Sequence, residues 1–170
     1  VMRIAMWSGP RNLSTALMYA FGNRNDTIIS DEPYYGAYLH HSGVKHPMNQ
    51  VIIDSQPKDP DVISSRLTGT VPEPYRVWYQ KLLTHQMLPS FSLDWIAQQQ
   101  NVFLIRSPAK VIASYAVKRQ NPSLNDLGFV QQKKIFDHCL LLGQKPIVID
   151  SEDILANPEA SLSALCKALG

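Results

Sequence analysis

The chain has 170 residues, of which 45% are hydrophobic and 18% are charged. This length fits one domain, residues 1–170, and the composition excludes a disordered, collagen-like or disulfide-rich chain. The formal net charge of +2 and the pI near 8.6, without runs of Lys or Arg, argue against a nucleic-acid-binding protein.

Short apolar runs bounded by turn residues predict strands in regular alternation with helices. In chain order, the predicted strands are Arg3–Trp7, Thr27–Ser30, Arg76–Lys81, Val102–Ile105 and Pro146–Ile149. The predicted helices are Ser14–Phe21, Pro60–Leu67 behind Asp59, Trp95–Gln99 behind Ser92, Pro108–Arg119, Asn125–Leu142, and Pro158–Leu169 behind Asn157. The segment from Ser42 to Pro74 is interrupted by prolines and reads as a connecting or lid region around its one predicted helix.

This alternation predicts an α/β fold with three layers, α/β/α, around a mostly parallel sheet of about five strands. In such a sheet, ligands bind at the C-terminal ends of the strands. The chain begins at Val1 and ends at Gly170, directly after a predicted helix. We therefore expect that C-terminal elements of the domain lie beyond the sequence.

The two cysteines indicate a reducing compartment. Cys139 and Cys166 lie among apolar residues at helical spacing and form no Cys-x-x-Cys pattern, so we expect two buried thiols and not a zinc site. No stretch approaches the roughly 18 apolar residues of a membrane span, and Arg3 and Arg11 interrupt the apolar start. We expect a cytoplasmic protein without a membrane partner.

The loop between the first strand and the first helix predicts an anion site. Backbone N–H groups and the helix dipole favour a phosphate there, Arg11 adds a planar cation, and Ser14 and Thr15 add hydroxyl donors. The residues predicted to bind are Pro10, Arg11, Asn12, Leu13, Ser14 and Thr15. The pattern Gly-x-x-x-x-Gly-Lys-Ser/Thr is absent, since Ser14 and Thr15 stand where it requires glycine and lysine, which argues against a magnesium-dependent ATPase. The alternative is a strand-to-helix turn with ordinary caps.

A second loop supports the anion site independently. Arg106 ends a predicted strand, and Ser114 follows eight residues later, in the next helix and before Tyr115. An arginine followed at this distance by Ser-Tyr resembles the 3′-phosphate site of the sulfotransferase family. Pro10–Thr15 is then similar to the family's 5′-phosphosulfate loop, commonly Pro-Lys-Ser-Gly-Thr-Thr.

Three further segments carry the same resemblance. Asp31-Glu32-Pro33 looks like the Glu-Pro of many bacterial members, and Val148–Leu155 with Leu165–Gly170 resembles the family's closing strand, turn and helix. The family's basic, glycine-containing loop that covers the 3′ phosphate has no counterpart before Gly170, and Arg11 replaces the usual lysine. The resemblance implies a P-loop-type fold and 3′-phosphoadenosine-5′-phosphosulfate as the sulfate donor, without a metal.

The resemblance also suggests catalytic residues. Thr84-His85 and Leu88-Pro89 resemble the family's Thr-His-Leu-Pro stretch, with two residues inserted, which implies that His85 is the general base. Lys81 and Arg11 would stabilise charge on the leaving phosphate. The alternative for His85 is a partly buried histidine beside a strand.

Other polar and aromatic residues allow two interpretations. Glu32 either serves as the base or orders the turn before Pro33, and we favour the second role. His40, His41 and His46 fit a metal site poorly. A last group either lines the acceptor pocket or packs in the core, which is the commoner fate of aromatic residues: Tyr34, Tyr35, Tyr38 and Trp78.

The sequence therefore predicts an enzyme that transfers a sulfuryl group to a hydroxyl or amine of a small-molecule acceptor. Two alternatives remain open: a small-molecule kinase of the wider phosphate-loop class, and a nucleotide-binding module that lacks transfer activity.

Overall fold

A central parallel sheet organises the molecule. The computed structural model describes residues 1–45, 48–117 and 123–170. The strands are β1 (Met2–Ser8), β2 (Thr27–Asp31), β3 (Val77–Leu83), β4 (Gln100–Ile105) and β5 (Ile147–Asp150). All of them run parallel in the order β2-β3-β1-β4-β5.

Helices connect these strands, as parallel pairing requires. They are α1 (Ser14–Gly22), α2 (Tyr35–Ser42), α3 (Asn49–Ser55), α4 (Pro60–Leu67), α5 (Pro108–Ala116), α6 (Leu124–Leu127), α7 (Phe129–Leu141), α8 (Ser151–Ala156) and α9 (Pro158–Leu169). Two short 3₁₀ helices, Thr84–Gln86 and Asp94–Gln98, follow β3 and precede β4. The predicted α/β fold with a five-stranded parallel sheet is confirmed.

Apolar layers cover both faces of the sheet, because a central parallel strand has no face free for water. On one face, Ile4 and Met6 of β1 pack against Leu17 of α1 and Leu165 of α9. On the other face, Trp7 packs against residues of α4, α7 and the second 3₁₀ helix, namely Ile63, Leu67, Trp95, Ile135 and Cys139. The loop Pro10–Thr15, which we call the phosphate loop, therefore follows a strand that is packed on both faces.

The structure differs from several element predictions. Helices α2 and α3 were not predicted, and α3 lies in the proline-interrupted region, where its turns pack against α2 through Ile53 and Leu39. The predicted helix Trp95–Gln99 is a 3₁₀ helix. Gly128, with φ of 73°, divides the predicted helix Asn125–Leu142 into α6 and α7.

One predicted helix end stays untested, and one of the two predicted buried thiols is wrong. Helix α5 ends at Ala116, and the predicted end at Arg119 lies outside the described residues. Cys139 is fully buried, but Cys166 is exposed. Cys166 is adjacent to Leu165 in α9, and of these two residues only Leu165 packs in the apolar layer against the sheet, because neighbouring helical positions point about 100° apart.

Candidate functional site

The first loop lies at the C-terminal edge of the sheet, between β1 and α1. Ser8, the last residue of β1, has no exposed surface. Arg11 has a left-handed backbone with φ of 61°, which costs roughly 1–2 kcal/mol for a residue with a Cβ atom. Leu13 occupies the N-cap of α1, and no side chain of the described residues caps the first N–H groups of that helix. Uncapped N–H groups and the helix dipole attract anions, so this end of α1 can hold a phosphate.

The second loop contacts the first directly. Arg106 follows β4 and donates from Nη1 to the carbonyl oxygen of Arg11, 2.5 Å away. Arg11 in turn donates from Nε to Oγ of Ser114 in α5, at 3.0 Å. The three side chains predicted from two separate motifs thus lie together, because β1 and β4 are neighbours in the sheet.

These residues line one cleft of about 290 Å³. Its lining consists of Arg11, Asn12, Leu13, Arg106, Ser114, Ser151 and Leu155. With two guanidinium groups and two hydroxyls beside a helix N-terminus, the cleft favours a multiply charged anion.

Sequence reasoning missed two residues of this cleft, Ser151 and Leu155. Ser151 is 1% exposed and donates to Oδ1 of Asn12 at 2.7 Å, which orients the amide of that loop residue. The available signal was its position directly after β5, because the carboxyl ends of parallel strands meet at one edge of a sheet.

Lys81 places a second cation, in addition to Arg11, beside the first loop. Its side chain, from β3, is 5% exposed and places Nζ 3.1 Å from Oγ1 of Thr15, in the first turn of α1. The same ammonium is 3.0 Å from a carboxylate oxygen of Asp31 and 3.0 Å from one of Glu32. Burial lowers the pKa of Lys81, but the two carboxylates more than offset this, so the pKa is raised. Lys81 is therefore charged at neutral pH.

Glu32 connects Lys81 to the 3₁₀ helix that carries His85. Its backbone is left-handed, with φ of 48°, and its Oε1 accepts a hydrogen bond from Nε2 of Gln86 at 2.7 Å. A continuous polar path thus runs from Thr15 through Lys81 and Glu32 to the residue that follows His85. The carboxylate of Glu32 is held between Lys81 and Gln86, and its role, as a base or in ordering the turn before Pro33, stays a prediction.

His85 lines a different cleft from the arginines. It lies in the 3₁₀ helix after β3, is partly buried, and makes an edge-on ring contact with Tyr38 at 5.4 Å between centroids. The cleft beside it measures about 280 Å³. The structure thus brings Arg11, Arg106 and Ser114 together and joins Lys81 to Thr15, while His85 faces a neighbouring space.

The junction between α6 and α7 packs against both parts of the site. Thr84 donates from Oγ1 to the carbonyl oxygen of Gly128 at 2.9 Å. A Cβ atom on Gly9 would lie 2.7 Å from the carbonyl oxygen of Leu127. Glycine at position 9 therefore allows the phosphate loop to approach α6 closely.

The four aromatic candidates occupy different environments. Tyr34 is a core residue, 1% exposed, whose hydroxyl lies 2.6 Å from Oγ of Ser64, and Tyr35 packs beside the α2–α3 pair. Trp78 donates to Ser30 and lines a separate cleft. Only Tyr38 of the four contributes to the cleft beside His85.

Neither a metal-binding cluster nor a membrane-spanning helix occurs in the described part of the chain. Residues 1–45, 48–117 and 123–170 contain no group of three His, Cys, Asp or Glu side chains that could hold a metal ion, and His46 lies outside them. No helix within these ranges is long and apolar enough to span a membrane.

Comparison with known proteins gives one family and two curated relatives. The family model described as a sulfotransferase domain matches residues 2–170. Two curated relatives from Arabidopsis thaliana, branched-chain-amino-acid aminotransferase-like proteins 2 and 1, are 31% and 32% identical over 98% of this chain. The chain spans only 29% and 30% of the length of those relatives.

Among solved structures, shikimate kinase from Bacteroides thetaiotaomicron has a similar fold. The TM-score is 0.54 at 12% identity, covering 99% of this chain and 98% of the kinase chain. At this identity the likeness supports the fold alone.

Proposed function

The chain belongs to the sulfotransferase domain family, and from that premise we propose that it binds 3′-phosphoadenosine-5′-phosphosulfate and transfers the sulfuryl group to a hydroxyl or amine of a small acceptor. The observation that carries the proposal is the direct contact of the two arginine loops. Arg11, Arg106 and Ser114 share one cleft, although they come from motifs about a hundred residues apart. Two cations and a hydroxyl beside the N-terminus of α1 suit a ligand with two phosphate groups.

Each residue has a proposed role in binding the donor. The uncapped end of α1, with Ser14 and Thr15, suits the 5′ phosphate, and Arg106 with Ser114 suits the 3′ phosphate. Leu13 and Leu155 add apolar surface to the same cleft. These roles fit the residues present, since the cleft offers donors and cations and no carboxylate among its lining residues.

The proposed chemistry requires a base and cations. The bound donor supplies a sulfuryl group bonded to a phosphate oxygen; this bond breaks as the acceptor's oxygen or nitrogen bonds to sulfur. Lys81 and Arg11 stabilise the negative charge that stays on the phosphate. His85 takes the proton that leaves the acceptor, and Glu32, held between Lys81 and Gln86, is the alternative base.

The test is calorimetric titration with adenosine 3′,5′-bisphosphate, without magnesium. We expect binding by the parent and a loss of about 10- to 100-fold in affinity for Arg106→Ala, because charge-assisted hydrogen bonds contribute roughly 1.5–3 kcal/mol. Arg76→Ala is the matched control, since Arg76 is exposed and precedes β3 at the opposite edge of the sheet. Equal affinities for the parent and Arg106→Ala would contradict the assignment of the 3′-phosphate site.

A parallel titration with ATP and magnesium separates the kinase alternative. Binding of ATP that requires magnesium, without binding of the bisphosphate, would favour a kinase. The lack of a lysine in the first loop argues against this outcome.

A second candidate, a nucleotide-binding module without transfer activity, is favoured by one observation. Lys81 already contacts two carboxylates, which reduce its attraction for a phosphate. Single-turnover assays with radiolabelled sulfate donor distinguish the two: such a module would bind the bisphosphate and transfer no label, either to a panel of phenols and amines or to water.

A further inference from the structure

The cleft beside His85 has an apolar body with polar groups at its rim. Its lining includes Val44, Met87, Leu88 and Val130, and Met87 is 5% exposed. At about 280 Å³, it is slightly below the usual range of small-molecule sites and suits a small ligand.

Among the described residues that line this cleft, two have acidic or basic side chains besides the imidazole of His85, namely Asp126 and Lys134, and their contacts differ. Asp126 belongs to a capping box at the start of α6, in which its carboxylate accepts from the backbone N–H of Ser123 at 2.9 Å. Lys134 of α7 is exposed and forms no ion pair with the residues that the structure describes. The neighbouring Lys133, in contrast, pairs with Asp137 one turn further along α7. Lys134 thus places at the cleft an ammonium that no carboxylate of the described residues pairs with, whereas the carboxylate of Asp126 is held by the backbone N–H of Ser123.

Gln131 adds an unsatisfied acceptor one turn before Lys134. Its Oε1 is buried and has no hydrogen-bond donor within the described residues. Residues three apart share a helix face, so this oxygen and the Lys134 ammonium lie on the same side of α7. A buried acceptor without a partner costs free energy that an O–H or N–H group of a ligand can recover.

We propose that this cleft binds the acceptor, and that the acceptor is a small carboxylic acid carrying a hydroxyl group. This inference rests on the proposed transferase function. The carboxylate pairs with Lys134, and the apolar body lies against Met87 and Leu88. The hydroxyl end lies between His85 and Gln131.

The test uses two probes that share the phenol and differ at the other end: 4-hydroxyphenylacetate carries a carboxylate, and 2-(4-hydroxyphenyl)ethanol carries an uncharged CH2OH group. Binding is followed by NMR at the backbone amides and the His85 imidazole, with saturating adenosine 3′,5′-bisphosphate so that the arginine cleft is blocked. We expect about fivefold tighter binding of the carboxylate by the parent, consistent with an ion pair at a partly exposed position. The difference should vanish in Lys134→Gln and persist in Lys133→Gln.

Several results would overturn the inference. They are equal affinity of the two probes for the parent, equal behaviour of Lys134→Gln and Lys133→Gln, shifts confined to the arginine cleft, and no binding of either probe. Because this measurement needs no turnover, its failure leaves the donor titration unaffected. Conversely, discrimination between the probes by a chain that transfers no sulfuryl group would contradict the proposed function alone.

Discussion

Nε of Arg11 lies 3.0 Å from Oγ of Ser114, joining two loops that are 103 residues apart in the chain. Arg106 reinforces this contact through the Arg11 carbonyl oxygen. The guanidinium of Arg11 is thus oriented by the second loop, while its own backbone adopts a left-handed conformation. A cation held in this way loses little conformational freedom when it binds a phosphate.

The backbone of Arg11 predicts a difference between two variants that both remove the guanidinium. Arg11→Ala keeps a Cβ atom at φ of 61° and therefore keeps the backbone strain, whereas Arg11→Gly removes it. We expect both to lose bisphosphate affinity to a similar extent, and the glycine variant to be about 1 kcal/mol more stable than the alanine variant. Urea denaturation measures the free energy of unfolding, and an alanine variant as stable as the glycine variant would disprove the strain.

The buried position of Lys81 predicts a large effect on stability. Lys81→Met leaves Asp31 and Glu32 next to each other without their cation. We expect the free energy of unfolding to fall by about 3 kcal/mol. This is the lower end of the range for a broken buried ion pair, because Asp31 is half exposed. Lys110→Met is the control: Lys110 and Glu152 form an exposed pair, and its loss should cost less than about 1 kcal/mol. Similar losses in the two variants would contradict the structural role of Lys81.

The raised pKa of Lys81 predicts how that stabilisation depends on pH. A lysine whose pKa is higher in the folded protein contributes fully below the ordinary value, 10.5, and the contribution is lost as pH rises through the folded value. The difference in Tm between the parent and Lys81→Met should therefore be constant from about pH 7 to pH 9 and shrink only in stronger alkali. A difference that shrinks below about pH 9 would mean that burial dominates and lowers the pKa.

Gly128 predicts a steric effect at the junction of α6 and α7. A Cβ atom there would clash with Oγ1 of Thr84 and lie 3.1 Å from the backbone nitrogen of His85, at φ of 73°. Gly143 has nearly the same φ, 76°, but, apart from its chain neighbours, no atom of the described residues lies within 4 Å of the added Cβ. We expect Gly143→Ala to cost about 1 kcal/mol, from the backbone alone, and Gly128→Ala to cost about 3 kcal/mol. Equal losses in thermal denaturation would show that position 128 has room for a methyl group.

The thiols should react at different rates. Burial raises the pKa of Cys139 to about 11 and removes it from solvent, whereas Cys166 is exposed. At about pH 8, a thiol reagent should modify one cysteine per chain rapidly and the second only after denaturation. Native Cys166→Ser should then show almost no rapid reaction, and a fast thiol in that variant would place Cys139 within reach of solvent.

The amino-acid sequence by itself determined the local parts of this protein. The apolar runs and their boundaries specify the five strands, because a buried strand depends on its own residue types. The loop Pro10–Thr15 and the spacing from Arg106 to Ser114 are also local patterns, in which a strand end and the next helix fix the distance between two side chains. For that reason they were sufficient to identify the family.

Only the tertiary structure decided which of these parts meet. The sheet order places β1 between β3 and β4, so Arg11 contacts Ser114, and Lys81 reaches Thr15 while pairing with Asp31 and Glu32. Ser151 joins the cleft for the same reason, and no spacing along the chain indicates it. The spacing of apolar residues along a helix likewise cannot show which positions are buried, since Cys166 lies among apolar residues at helical spacing and is exposed. The physical reason is that strand order and layer packing bring together residues distant in sequence, and their ion pairs and burial exist only once those layers have assembled.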